Sequence, residues 1–465
     1  KANLKSYDNP NSLWVMSELQ VNDGLEKMEI AQHGKSVYTK RFSYEGGKYD
    51  RRERTFLGFK KVVTHDIEAS NEIYRSQASE YLNESYFTQN LVKTSKVYKK
   101  NDEKALYSSV TNEYVVRGLT PDTLPSGYTL DNTAVDLNSD LGLLYDVGGR
   151  NGRGTAIVML LSTQNEYYNE TDTPIITSRI TFEYDTYGRI SRYSNLGDIN
   201  DENDDYISDI HYYSDDNLKT KNIRNVADTI TVKVWNAASS KFDVKRQRMA
   251  SNISPDGLIK TITTDVSGEV IGSGTTILAV TDMDYDANGN IISITFPENE
   301  NSERVSYDYT YDTENGKYIT GIKDVNLEYV TSMFYNPKFD VISRVVDISG
   351  NETRYYYDAK GRLTRIVGPN EIKSGVPNPY TIKFEYLLQN PCNAPNFVPC
   401  ALTKHFDIQG ANDAIETYNF VDGLGRVIQV KKDIVVNTAV NHTVPPAFVR
   451  GMSVSGWTSY DEFGR

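Results

Sequence analysis

Aromatic and polar positions alternate along much of this chain. Rings occupy every second position in Phe182/Tyr184, Tyr307/Tyr309/Tyr311, Tyr355/Tyr357 and Phe384/Tyr386. Alternate residues share one face of a strand, so this period of two predicts strands whose rings ladder across neighbours. The alternation is broken by a recurring polar signal: Tyr-Asp, two residues, Gly, then Arg or Asn, then an aliphatic. It reads Tyr184-Asp185-Thr186-Tyr187-Gly188-Arg189-Ile190, then Tyr285-Asp286-Ala287-Asn288-Gly289-Asn290-Ile291, then Tyr357-Asp358-Ala359-Lys360-Gly361-Arg362-Leu363. Val421-Asp422-Gly423-Leu424-Gly425-Arg426-Val427 is a looser copy, and Tyr460-Asp461-Glu462-Phe463-Gly464-Arg465 opens one more.

Each copy has a local logic. Asp at the first corner of a type I turn accepts hydrogen bonds from the amides ahead of it, and Gly suits the fourth corner. The residues after Gly alternate again, as in Arg362-Leu363-Thr364-Arg365-Ile366-Val367, so every unit is expected to be strand, tight turn, strand. The arginines after Gly (Arg189, Arg362, Arg426) are expected to pair with the repeat aspartates across strands. From Tyr285 the unit-opening tyrosines fall at Tyr311, Tyr335 and Tyr357, steps of 26, 24 and 22 residues. The 101 residues from Tyr184 to Tyr285 have room for about four units, with hairpin-like stretches such as Ser254-Pro255-Asp256-Gly257-Leu258 among them. Self-similarity at this period marks a repeat architecture, each unit a small piece of a larger sheet.

Composition favours a broad sheet over a thick core. Tyr makes up 34 of 465 residues, apolar residues only 38%, and the mean hydropathy is −0.54. A sheet wetted on both faces needs few buried aliphatics, and amphipathic Tyr serves either face. A net charge of −13 and a pI near 5.1 argue against nucleic-acid binding. No apolar run reaches the roughly 18 residues of a membrane span, and no signal peptide is visible. The longest apolar stretch, Ala156-Ile157-Val158-Met159-Leu160-Leu161, is strand-length. Residue 1 is Lys and residue 465 is an Arg that should lead a strand, so the expectation is a piece of a longer polypeptide.

Candidate chemistry is sparse. Asp284, Asp286 and Asn288, with Gly289 and Ile291, match the opening of a calcium loop, but its twelfth position is Thr295 instead of a bidentate Glu. The acidic run Asp198, Asp201, Glu202, Asp204, Asp205 and Asp209 lacks a shaping glycine and reads as a solvated insertion. Gly148-Gly149-Arg150-Asn151-Gly152-Arg153-Gly154 offers amides for an anion nest, but without a Walker Lys-Ser/Thr it reads as a hairpin tip. His33, His65, His211, His405 and His442 show no metal-ligand spacing. No G-x-S-x-G or H-E-x-x-H occurs, so no catalytic residue, enzyme activity or cofactor is expected. The repeat aspartates Asp185, Asp286, Asp358, Asp422 and Asp461 are expected to be turn formers. Cys392 and Cys400 flank a Pro-rich loop, which leaves open a disulfide staple or two free thiols.

The Tyr-Asp-x-x-Gly-Arg-Leu units resemble the YD repeats of the RHS family, which includes bacterial RHS toxins and the animal teneurins. Tyr44-Glu45-Gly46-Gly47-Lys48-Tyr49-Asp50 and Glu53-Arg54-Thr55-Phe56-Leu57-Gly58-Phe59 resemble the segment ahead of the repeats in the B component of insecticidal Tc toxin complexes. The same segment occurs in the Salmonella virulence plasmid B protein. Val421-Asp422-Gly423-Leu424-Gly425-Arg426-Val427-Ile428-Gln429 looks like the Asp-Gly-Leu-Gly-Arg repeat of that branch.

The resemblance implies an all-β fold: a YD-repeat sheet strip curling into part of a hollow shell, preceded by a β-rich lead-in. At about 11 residues per strand and turn the chain supplies roughly 40 strands, about 190 Å of sheet at ~4.7 Å each. Sheets of that width twist and must curl or split, and closure hides edges that otherwise pair with other chains. The expected organisation is a lead-in over 1–120, a connecting segment over 121–176, and repeats over 177–465 with a Pro-rich insertion near 369–400. A short helix is expected around Ile67–Tyr81, with Tyr86 to Leu91 strand-like. The implied function is a non-enzymatic wall that sequesters a toxic C-terminal cargo of its own polypeptide, in a secreted or extracellular bacterial protein. Its partners would be the rest of that polypeptide, including an upstream propeller, and associated toxin-complex subunits. The alternative is a teneurin-like adhesion or binding protein using the shell as a rigid scaffold.

Overall fold

Strand follows strand along nearly the whole described chain. The computed structural model describes residues 12–24, 37–50, 54–68, 70–121, 128–135, 156–268, 270–271, 277–373, 379–388, 398–406, 414–437 and 448–460. Among these residues 27 strands belong to one sheet, and the two short strands Tyr49–Asp50 and Thr55–Phe56 form a separate ribbon. Among the described residues helix is confined to short pieces, Glu202–Asp204, Asp216–Thr220 and Pro369–Lys373. Among the described residues no helix is long and apolar enough to cross a membrane.

The chain divides into two compact units. The first comprises Lys1–Leu19, Lys40–Tyr285 and Ile294–Arg304. In it the strands Lys61–Ile67, Ile73–Leu82, Leu91–Lys99 and Leu106–Pro121 pair antiparallel in chain order. Leu106–Pro121 then pairs with Ala156–Thr171, and an antiparallel meander continues from there to Leu278–Tyr285. This unit holds the larger buried cluster: Val63, Ala78, Tyr98 and Leu106, with Tyr168 packed against them. A second small cluster joins Val115 and Met159 with Ile157, Leu161 and Tyr184.

The expected helix at Ile67–Tyr81 is instead part of a hairpin. Strand Ile73–Leu82 runs back along Lys61–Ile67, with Asp66 opposite Arg75 and their side chains 2.7 Å apart. Arg75 and Gln77 are exposed while Ser76 and Ala78, alternating with them, are buried, a period of two. Glu, Ala, Ser and Gln suit a helix locally, but one-sided burial overrides propensity. Tyr86 to Leu91 is likewise not a strand: residues 86–90 form a turn braced by buried Ser85 and Thr88, and the strand begins at Leu91. Among the described residues six strands run from Ile190–Asp198 to Leu278–Tyr285, enough for three strand–turn–strand units where about four were expected. The strands Ala227–Asn236 and Lys241–Ile253 are 10 and 13 residues long, and a helical turn is inserted at Asp216–Thr220.

The second unit comprises Gln20–Thr39, Asp286–Ser293 and Val305–Arg465. Here each strand from Ile319–Asp324 to Phe448–Val454 pairs antiparallel with the next, as far as the described residues run. Burial is shallow and even. Every position of Val341–Val346 and of Ile382–Leu387 is half-buried, so neither face of those strands is sealed as a one-sided core would require. The cluster Val398 and Ile428, packed by Phe420, Trp457 and Tyr460, is small.

Candidate functional site: the repeat turn

The recurring turn is the most repeated chemical feature of the molecule. In the Tyr184 copy Gly188 N–H donates to the Asp185 carbonyl at 3.0 Å, and Asp185 N–H to the Arg189 carbonyl at 2.9 Å. One carboxylate oxygen of Asp185 accepts from the amides of Tyr187 and Arg189, at 2.9 and 3.0 Å. The other accepts from Arg189 Nε at 2.6 Å. Asp358 repeats the set with Lys360, Arg362 and the Arg362 guanidinium, and Asp422 with Leu424, Arg426 and the Arg426 guanidinium. At Asp286 the side-chain amide of Asn290 replaces the guanidinium, reaching the carboxylate at 3.0 Å and the Gly316 carbonyl at 2.8 Å.

Gly188, Gly289, Gly361 and Gly425 have φ of +78°, +86°, +79° and +78°. That left-handed backbone follows a type I turn as a bulge, and it shifts the register beside Tyr184, Tyr357 and Val421. A Cβ at Gly425 would meet nothing within 4 Å, so glycine is required there by conformation and not by crowding. The expected cross-strand pairing of Arg with Asp is corrected. Arg189, Arg362 and Arg426 each pair with the aspartate of their own turn, four residues back, because the bulge folds the chain tightly enough to bring them together.

The repeat tyrosines have a role that alternation does not reveal. Their hydroxyls donate to backbone carbonyls of the preceding hairpin. Tyr285 reaches Ile259 at 2.8 Å, Tyr311 reaches Ile291 at 3.0 Å, and Tyr357 reaches Ile342 at 2.6 Å. Tyr212, Tyr386 and Tyr460 reach Ile190, Leu363 and Val427, each the aliphatic residue directly after a repeat arginine. That same arginine lies under the ring: Arg189 is 4.1 Å from the Tyr212 centroid, Arg362 4.5 Å from Tyr386 and Arg426 3.9 Å from Tyr460. Hairpins are thus joined by a hydroxyl latch, and at Arg189, Arg362 and Arg426 by a stacked cation as well. Burial pushes the Tyr212, Tyr285, Tyr311 and Tyr357 hydroxyls above the usual phenol range. Ring ladders do occur elsewhere, as in Phe182–Tyr193–Tyr206 with centroids 5.6 and 5.9 Å apart.

Further copies escape the motif. Asp347 accepts from the amides of Ser349 and Asn351 and from the Asn351 side chain, and Asn299 accepts from Asn301 and Glu303. Ser254 does the same for Asp256 and Leu258. None follows a tyrosine. The signal that finds them is a short acceptor side chain at the first position with a residue tolerant of left-handed backbone three later: Gly350, Ser302 and Gly257.

The remaining candidates have other occupations. Asp284 contacts Lys260 at 3.2 Å, and the Asp286 carboxylate is filled by donors of its own turn, including the Asn288 amide. In the acidic run Asp201 caps Glu202–Asp204, while Asp209 bridges Arg192 and Lys233. Burial and the neighbouring Asp204, Glu202 and Asp201 hold Asp205 above the usual carboxylate range. Among the described residues no three potential metal-ligating side chains cluster. His65 bonds Ser76 and His211 bonds Asp228. Cys400 is buried and has no disulfide partner among the described residues. Cys392, the glycine-rich 148–154 segment, His33, His442 and Asp461 lie outside the described residues, and the disulfide question with them.

Residues 1–95 match the family model described as the insecticide toxin TcdB middle/N-terminal region, and residues 341–371 match that of the RHS repeat. No curated protein matches the chain. Among solved structures, the crystal structure of TcdB2-TccC3 is similar with a TM-score of 0.61 at 13% identity, over 92% of this chain and 28% of the other. TcdB2-TccC3 without its hypervariable C-terminal region gives 0.60 at 12%, over 92% and 30%. The Photorhabdus luminescens Tc holotoxin pore gives 0.61 at 11%, over 92% and 29%. The chain therefore spans under a third of the length of the solved structures it matches. Residues 1–95 thus carry a TcdB-type match and residues 341–371 an RHS-repeat match, and the fold is like that of the TcdB2-TccC3 structures.

Proposed function

We propose that this chain is a non-enzymatic wall segment of an RHS shell, and that the shell sequesters a toxic C-terminal cargo of the same polypeptide. The observation that carries this reading is the fold likeness to TcdB2-TccC3 structures over 92% of the chain, joined to the TcdB-type match at residues 1–95. The local physics is in keeping with it. A wall must present two faces and remain a single sheet, and the shallow, even burial of strands such as Val341–Val346 suits that task. The turns recruit the polar side chains to bracing, Asp to amides and Arg to Asp and Tyr, which leaves strand faces lined by half-buried residues.

On this reading the chain works with other toxin-complex subunits, and acts outside the cell that makes it. The experiment is protease challenge of the parent polypeptide. A C-terminal polypeptide that survives digestion in the native parent, and is degraded once the wall is opened by mild denaturant, supports sequestration. Digestion at equal rates in both states contradicts it.

A further inference from the structure

The 422–426 turn, which has Val421 in place of the tyrosine, also departs from its siblings at the position after the aspartate. Thr186, Ala287 and Ala359 follow the aspartate elsewhere, and here the residue is Gly423. Its N–H donates to the Asp23 carbonyl at 2.5 Å. A Cβ at 423 would overlap that carbonyl oxygen and lie 2.8 Å from its carbon. Gly423 is not among the left-handed residues, so the turn itself accepts a side chain there, as it does at Ala359. Opposite it, Gly24 has φ of +80°, and a Cβ on it would sit 3.7 Å from the Gly423 Cα. The Asn22 side chain accepts from Gly24 N–H at 2.7 Å and shapes this loop. Asp23 and Asp422 are 4% and 3% exposed, so the junction is sealed on both sides.

A second contact reinforces the first. Arg426 Nη2 donates to the Tyr38 hydroxyl at 2.6 Å, across 388 residues of sequence. Its guanidinium lies 5.1 Å from the Tyr38 ring centroid as well as stacking on Tyr460. All of these residues belong to the second unit.

We infer that residues 22–24 and Tyr38 form a clasp seated on the 422–426 turn, and that Gly423 is the residue that admits it. The turn's own bonds, from the Leu424 and Arg426 amides to the Asp422 carboxylate, involve neither residues 22–24 nor Tyr38. The clasp can therefore open while the turn stays folded. It is an intramolecular joint between the lead-in and a late repeat, and it stands independently of what the wall encloses.

The test is hydrogen–deuterium exchange on the whole chain and on the Gly423→Ala and Tyr38→Phe variants. In Gly423→Ala, exchange in peptides covering 20–24 and 37–40 should accelerate by about tenfold or more, as for release of a local contact, with the 185–189 and 358–362 turns unchanged. Tyr38→Phe should give a smaller acceleration confined to the same peptides. Wild-type rates at 20–24 in Gly423→Ala would overturn the clasp. Should that variant fail to fold, Tyr38→Phe decides: faster exchange at 37–40 supports the clasp, and an unchanged rate overturns it.

Discussion

At the scale of single residues, the repeat aspartate is a hub for backbone amides, and its worth depends on burial. Asp422 is sealed from solvent at its side chain while Arg426 is 22% exposed. Asp422→Ala leaves that guanidinium without its partner in a largely dry setting, and should cost about 3 kcal/mol in urea unfolding. Asp358→Ala removes the same bonds from a more exposed pair, so its loss should be clearly smaller. Equal losses would mean that burial does not govern the hub. The tyrosine latch is testable alone. Tyr357→Phe deletes only the bond to the Ile342 carbonyl and should destabilise by about 1 kcal/mol with the ring's packing retained. No measurable change would remove the latch from the account.

At the scale of elements, four of the turns should respond to pH together. Asp286, Asp312, Asp347 and Asp358 are all held below the usual carboxylate range, first by hydrogen bonds from backbone amides of their own turns. A carboxylate with a depressed native pKa contributes stability that is complete above its unfolded value and lost as pH falls through the native one. The melting temperature should therefore be level from neutrality down to about pH 5, then fall as the pH drops through the ordinary Asp value of about 3.9 and below. Replacing Asp347 by Asn, which keeps one acceptor oxygen, should flatten part of that fall. A melting temperature unchanged down to pH 3 would show that these carboxylates do not hold the turns.

This scale also shows what a sequence exposes. The Tyr-Asp-x-x-Gly-Arg units are legible because turn chemistry is local: Asp185, Gly188 and Arg189 meet within five residues. The hydroxyl latches are not, because a period of two places Tyr285 on a face without naming the carbonyl it meets 26 residues earlier. The 73–82 strand reads as a helix because helix-favouring residues outweigh an alternation that only burial makes plain. The clasp is hidden for the same reason as the latches: Gly423 announces an absence of side chain, and only the fold shows Asp23 filling the space.

At the scale of the whole molecule, stability should be a sum of short-range terms. Hairpins are tied to their neighbours by ladder bonds and hydroxyl latches, with a stacked arginine where the repeat carries one, so a lesion should spread to adjacent hairpins and no further. In Tyr386→Phe, amide exchange should accelerate in strands Leu363–Val367 and Ile382–Leu387 and remain at wild-type rates in Ile319–Asp324. A uniform acceleration would instead indicate one cooperative body. Such modular bracing suits a wall, which must stay closed along its length despite having few buried side chains at any one place.

On the proposed function, this chain walls in part of its own polypeptide. The most direct measurement is the intact mass of the native parent protein, followed by sequencing of every terminus released on mild denaturation. A parent several times larger than this segment, freeing a separate C-terminal polypeptide only when denatured, is the predicted result. A parent from which no further polypeptide is released, native or denatured, would contradict it and leave an open sheet in need of another partner.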